Sequence, residues 1–319
     1  MIPLTIRTQG LRCLALTLAL AANPGEAFRE LKDLPVTETP PGLTLDLYLP
    51  DQPEEALACI LVIQGGGFRS RSGEGFRDFA RYFSGEGFAA ALVSYRGLPE
   101  HTWRETLSDV RAARDFIRRH GQSYGIDPAR MGAFGGSAGA TLALLLALMD
   151  EPDSPKETRG GNLRAAVGFA GVYNFITRFT DPGERMLQPR LEEKRLSNEK
   201  WIGVPFSDEN KEWREASAVH HVDPADPPCL LLHARDDAVV PWTQTRGLAR
   251  ALSEAEVPVE VRYYPEGGHG FWNRMEPLHL ETVSAFFRET LASDPTCQAT
   301  FQSPDLDIPS HTDPTPKPP

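Results

Sequence analysis

Apolar and polar positions along the chain follow two rhythms. Residues 43–49 (LTLDLYL) alternate strictly, the period of a half-exposed strand near a sheet edge. Residues 58–64 and 89–95 are short, nearly continuous apolar runs, which suit strands covered on both faces, as in a parallel sheet. Between them, residues 75–86 carry Phe76, Phe79, Ala80 and Phe83 at helical spacing. Residues 101–120 repeat the pattern with Leu107, Val110, Ala113, Phe116 and Ile117 on one stripe. The same reading predicts strands at 131–135, 165–171, 229–234 and 259–264, and helices at 138–149, 242–255 and 278–291. Alternation of this length predicts an α/β fold, a doubly wound and mostly parallel sheet with right-handed crossovers and helices on both faces.

Three segments break the rhythm. Arg7 and Arg12 precede an uncharged run from Cys13 to Ala22, closed by Asn23, Pro24 and Gly25. A basic start, a short apolar stretch and a small-residue exit predict a secretory signal peptide over residues 1–27, and so export to the periplasm or the medium. The run falls well short of the roughly 20 apolar residues that cross a bilayer, so no membrane span is expected in the mature chain. Residues 173–218 are polar and read as irregular, much longer than an ordinary connection, and are expected to form a short lid-like insertion. Residues 294–319 are dense in Pro, Ser, Thr and Asp and are expected to form a disordered tail. One domain is then predicted over 28–293.

Composition narrows the function classes. The 319 residues hold 33 Lys+Arg against 44 Asp+Glu, a formal charge of -11, which argues against a binder of nucleic-acid phosphates. Cysteine is too sparse for a disulfide scaffold, and Cys59 and Cys229 sit in apolar runs that predict buried packing. No spacing resembles a zinc site, and the adjacent His220 and His221 make a poor one. Neither a metal nor a cofactor is expected.

Four polar or glycine-rich features stand at strand ends. Residues 131–139 (MGAFGGSAG) place GxSxG between an apolar strand and an apolar helix. A sharp turn there exposes the Oγ of Ser137, and the flanking glycines allow close strand–helix approach. A serine so placed needs a base, and the base an orienting carboxylate. His269 lies among glycines just past the strand ending at Tyr264, and Asp236 and Asp237 follow the strand ending at Ala234. The glycines of Gln64-Gly65-Gly66-Gly67-Phe68 follow another buried strand and can aim amides at a ligand. In this setting the N–H groups of Gly66 and Gly67, with that of Ala138, form a candidate oxyanion hole.

The ordered set QGGGF, GGSAG, HARDDAVVP and GGHGF resembles the α/β-hydrolase superfamily over approximately residues 30–292. Within it the chain is similar to carboxylesterases with an HGGG-type loop related to hormone-sensitive lipase, and closer still to secreted bacterial acetyl- and feruloyl-esterase-like proteins. The resemblance implies Ser137 as nucleophile, His269 as general base and Asp237 as its carboxylate. It leaves Asp236 as a neighbour, paired with Arg235 or solvated, and His233 as a structural strand-end residue. Gln64 replaces the family's usual histidine, which puts substrate range rather than the backbone donors in question. Arg69, Arg71 and Arg77 read as a solvated loop, with an anionic or sugar substrate as the sharper alternative. Trp201, Phe206 and Trp213 either wall a pocket or pack the insertion down.

The implied activity is hydrolysis of carboxylic esters, with short acetyl-type acyl groups, on small molecules or on carbohydrate such as plant polysaccharide. The rival readings are a prolyl-oligopeptidase-type serine peptidase and a catalytically silent hydrolase fold that binds a partner.

Overall fold

The computed structural model describes residues 28–37, 42–150, 163–271 and 277–292. The predicted leader and tail lie outside them. Eight strands form one sheet in the order β1-β2-β4-β3-β5-β6-β7-β8. These are β1 (Phe28–Pro35), β2 (Thr44–Pro50), β3 (Leu57–Ile63), β4 (Ala89–Val93), β5 (Ile126–Gly136), β6 (Ala165–Phe169), β7 (Cys229–Ala234) and β8 (Val259–Tyr264). β2 runs antiparallel to both β1 and β4, and every pairing from β4 to β8 is parallel. The mostly parallel sheet expected from the sequence is therefore the one found.

Side chains of β3 alternate between two cores. Cys59, Leu61 and Ile63 face one side, and Ala58, Ile60 and Val62 the other. The first side is covered by α2 (Trp103–His120), α3 (Ala138–Leu148) and α8 (Thr243–Glu254). α3 is apolar around its whole circumference, and all its side chains are buried. The second side is covered by α1 (Arg77–Gly85) and α9 (Pro277–Thr290). There Phe83 meets Phe134 and Phe287 edge to face.

The insertion is not irregular. It folds into α4 (Thr177–Thr180), α5 (Pro182–Met186), α6 (Leu191–Ile202) and α7 (Lys211–Glu215). Three of these four are a turn or so long, too short for an apolar period to be read from sequence. Trp201 and Trp213 are fully buried, and the Trp201 ring stacks on Phe68 at 3.7 Å between centroids. The Trp201 indole donates to Thr106 Oγ1, while Trp103 and Arg104 of α2 donate to Glu212 of α7. The aromatic residues thus pack the insertion onto α2. β1 is also new relative to the sequence reading; its side chains alternate poorly because it is an exposed edge strand.

One buried carboxyl on the approach to β7 carries a pH dependence. Asp226 is 7% exposed, and burial pushes its carboxyl up to about 7, against one stabilising bond from the Asp223 amide. The unfolded chain ionises this group near its ordinary 3.8, so folding loses stability as pH rises from about 4 to 7. Asp226→Asn keeps an acceptor for the Asp223 amide and removes the buried charge. Thermal melts should show the variant more stable than wild type at pH 8, by about 2 kcal/mol. The gap should close by pH 4; a gap that does not change with pH would refute the assignment.

Candidate active site

Ser137 sits between β5 and α3 with φ 54° and ψ −122°, a backbone region that L-residues adopt at a cost of about 1–3 kcal/mol. Two hydrogen bonds hold it there. Its amide donates to Phe169 O of β6 at 2.7 Å, and its carbonyl accepts from Thr141 N of α3 at 3.1 Å. Close packing does the rest. A Cβ on Gly139 would lie 2.0 Å from Ile63 O, and one on Gly65 would lie 2.2 Å from Gly136 O. The end of β3 can therefore reach the serine turn only because both residues are glycine.

The chain brings together three side chains that are far apart in sequence. Ser137 Oγ lies 2.8 Å from His269 Nε2, and His269 Nδ1 lies 2.7 Å from Asp237 Oδ2. The network fixes the imidazole tautomer, since a carboxylate facing Nδ1 leaves the proton there and the lone pair on Nε2. Asp237 is 3% exposed. Burial alone would raise its carboxyl; hydrogen bonds from His233 and His269 overcome that and hold it far below the usual carboxylate range. Its Oδ1 also accepts from the amides of Val239 and Val240, at 2.8 and 3.0 Å.

His233 does more than end a strand. Its Nε2 lies 3.0 Å from Val240 O and 3.2 Å from Asp237 Oδ2, and its Nδ1 lies 2.8 Å from Thr245 Oγ1. Two acceptors around Nε2 place the proton there, so Thr245 donates to Nδ1. The ring thus acts as a second donor to the buried carboxylate. Sequence offered only its four-residue spacing from Asp237 as a signal.

Asp236 is likewise neither paired with Arg235 nor solvated alone. Its oxygens accept from the Gly268 and Gly267 amides at 2.7 and 3.1 Å, which lowers its carboxyl from the ordinary value. Arg235 instead lies over the rings of Trp242 and Tyr263. The two consecutive aspartates therefore divide the work: one faces the imidazole of His269 and the other holds the loop that carries it.

The glycine loop stands on the other side of Ser137. Gly66 and Gly67 have φ of 136° and 65°, and both line a cleft of about 430 Å³ together with Ser137 and His269. Arg71 is not part of a solvated loop. Its guanidinium donates to Gly65 O at 3.0 Å and Gly66 O at 2.9 Å, drawing those carbonyls to itself. Gln64 takes the place of the family histidine by bracing the same loop: its Oε1 accepts from Gly75 N, and its backbone carbonyl accepts from Tyr95 OH at 2.6 Å. Arg77 pairs with Glu30 and Glu74, away from the cleft. Among the described residues no helix is long and apolar enough to cross a membrane.

The grip of Asp236 on the histidine loop can be read directly. In Asp236→Ala the amides of Gly267 and Gly268 lose their acceptors, so hydrogen exchange across 265–271 should accelerate about tenfold or more while the segment around Ser137 keeps its protection. Unchanged exchange in 265–271 would show that the loop is held by other contacts.

Comparison with known proteins gives the same frame. The BD-FAE family model matches residues 45–252, a span that holds the glycine loop, Ser137 and Asp237 and ends before His269. A Mycobacterium tuberculosis protein named "Probable carboxylic ester hydrolase LipM" is 33% identical over 191 residues, 58% of this chain and 42% of the relative. The butyrate-bound thermophilic esterase Est2 of Thermogutta terrifontis superposes with a TM-score of 0.66 at 26% identity, covering 85% of this chain and 97% of that one. A truncated carbohydrate esterase from gut microbiota reaches 0.70 over 84% of this chain and 99% of its own, at 20% identity, a likeness of fold. The chain spans about half the length of the curated relatives it matches. With the family match covering well over half of the chain, and the sheet and serine turn arranged as described, the protein belongs to the BD-FAE family and has the α/β-hydrolase fold.

Proposed function

We propose that the protein is a serine hydrolase of carboxylic esters, working through an acyl-enzyme on short acetyl-type acyl groups. The observation that carries this reading is the unbroken line from Ser137 Oγ through His269 to the buried Asp237, opening on a cleft. In the first half-reaction Ser137 Oγ bonds to the carbonyl carbon as its proton passes to His269 Nε2. The C–O bond to the alcohol then breaks, and the leaving oxygen takes that proton from His269. Water attacks the acyl-enzyme in turn, giving its proton to Nε2; the acid departs and Ser137 Oγ is reprotonated. Asp237 keeps the tautomer and balances the imidazolium formed in each half.

The carbonyl oxygen gathers negative charge in both steps. The amides of Gly66, Gly67 and Ala138 are its donors in this proposal, with the N-terminus of α3 adding its positive dipole end. Arg71 supports that assignment by occupying the Gly65 and Gly66 carbonyls, which would otherwise oppose an oxyanion. The cleft volume lies toward the small end of the roughly 300–1,000 Å³ typical of ligand sites, which favours short acyl chains. The resemblance to secreted acetyl- and feruloyl-esterase-like proteins favours acetylated plant polysaccharide as a source of such esters. The basic, apolar leader favours export, where such a substrate would be met.

A series of p-nitrophenyl esters from acetate to decanoate tests the reading. Short esters should turn over fastest. Ser137→Ala should abolish turnover, and Asp237→Asn should lower kcat by about 10⁴-fold through the wrong tautomer. A fluorophosphonate should add to Ser137 in the wild type, visible as a mass shift on the peptide holding residues 131–139. Absence of both serine-dependent turnover and the adduct would overturn the proposal in favour of a silent fold.

A further inference from the structure

The cleft has an unusual charge balance for so acidic a chain. Among the described residues, its wall beside Ser137 and His269 includes two cations, Arg71 and Lys194, and no carboxylate. Asp237 is sealed behind His269 and spent on four donors. Arg71 is committed to backbone carbonyls, so its charge is hydrogen-bonded without being neutralised.

Lys194 is different. It stands in the first turn of α6, half-buried, and among the described residues its ammonium has neither an ion pair nor a hydrogen-bond partner. Its chain neighbour Glu193 is exposed and faces Arg190 at 3.8 Å. Burial lowers the pKa of the Lys194 ammonium, with Arg178 and Arg190 adding repulsion and Glu193 and Asp237 pulling the other way. A lysine that serves only as surface reaches its head group into water and covers apolar neighbours with its stem. This one lines the same wall as the nucleophile, where a bound substrate would replace the water around it.

We propose that Lys194 selects ester substrates carrying a carboxylate close to the scissile bond. The inference rests on the ester-hydrolase reading above and narrows its substrate class. A single ammonium, beside a guanidinium already occupied, matches a singly charged group better than a phosphate, which would need several donors. An entering carboxylate gives Lys194 the ion-pair partner that no described residue supplies, and a neutral ester of the same shape does not. The carboxylate can sit on the acyl side, as in a hemisuccinate, or on the alcohol side, as in an acetylated acidic sugar; the chemistry recognised is the same.

Two matched substrate pairs separate these sources. The acyl-side pair is p-nitrophenyl hemisuccinate against p-nitrophenyl pentanoate. The alcohol-side pair is 3-acetoxybenzoate against 3-methylphenyl acetate. The readout is the ratio of kcat/KM, anionic over neutral, in wild type, Lys194→Gln and Lys194→Arg. Intrinsic ester reactivity cancels between variants, and any loss of folded enzyme cancels within each ratio. In Lys194→Gln the ratio should fall about tenfold or more for one pair, as loss of a close charge partner predicts, and Lys194→Arg should restore most of it. The pair that responds names the side that carries the charge. Ratios that stay level in both pairs, or that arginine fails to restore, would overturn the role of Lys194 while leaving the hydrolase reading intact. Failure of the neutral esters to show Ser137-dependent turnover would instead remove the hydrolase reading, and this inference with it.

Discussion

A carboxylate with 3% of its surface left must find every one of its hydrogen bonds inside the protein, and the architecture around Asp237 follows from that requirement. Two amides of its own turn, Val239 and Val240, serve one oxygen, while His233 and His269 serve the other. Each donor imposes a further demand. His233 can turn its Nε2 proton toward Asp237 only if something donates to Nδ1, and Thr245 at the start of α8 does so. His269 can point Nδ1 inward only if its loop turns back over β7, and Asp236 holds that loop by the amides of Gly267 and Gly268. The charge is thus retained at a depth where an unpaired carboxylate would take up a proton.

The same turn anchors the insertion. Val239 O, two residues past Asp237, accepts from the buried guanidinium of Arg178 in α4, which also reaches Gln188 and Asn198. Burial pulls Arg178 down to about 10, the nearby carboxylates of Glu184 and Asp237 opposing it. Gln244 of α8 adds a second tie, accepting from the amides of Tyr173 and Asn174 and donating to Glu184. Arg178, Gln188, Asn198, Glu184 and Gln244 are each buried polar groups whose partners lie on other elements. Removing any one of them leaves a neighbour unsatisfied, so the segment holding Lys194 over the cleft is built as part of the domain.

Much of this arrangement was legible in the sequence. Parallel strands buried on both faces appear as apolar runs, and β7 and β8 fall at the residues their runs predict. Ser137, Asp237 and His269 stand at strand ends because that is where a doubly wound sheet exposes side chains. β5 begins five residues before its apolar run, since the ladder to β3 pairs Ile126 and then skips to Met131, and the irregular residues 127–130 between them leave no periodic signal. The insertion was opaque for a related reason. Its helices are short, and what holds them is tertiary: the Trp201 indole seated against α2, the Trp103 indole of α2 donating to Glu212, and a guanidinium reaching Val239. The distinct tasks of Asp236 and Asp237 were equally hidden, because adjacent residues of one type differ only in which way the folded turn points them.

The charge distribution draws these levels together. A formal charge of -11 spread over the surface acts at distances that physiological salt screens within about 8 Å. That field does not attract anions. Inside the cleft, contact distances and partly buried surroundings make local charges count for more than the distant total. Among the described residues, carboxylates near it are engaged: Asp237 lies behind an imidazole, Asp236 is exposed but bound to the amides of the histidine loop, and Glu184 sits among Thr177 and Gln244 with its carboxyl raised by burial. The described residues that line the cleft with Ser137, at the start of α3, include the glycine loop, Arg71 and Lys194. An acidic chain thereby lines this cleft, among the described residues, with cations, a setting that under the proposed reaction would favour negative charge developing on a carbonyl oxygen and negative charge already carried by a substrate.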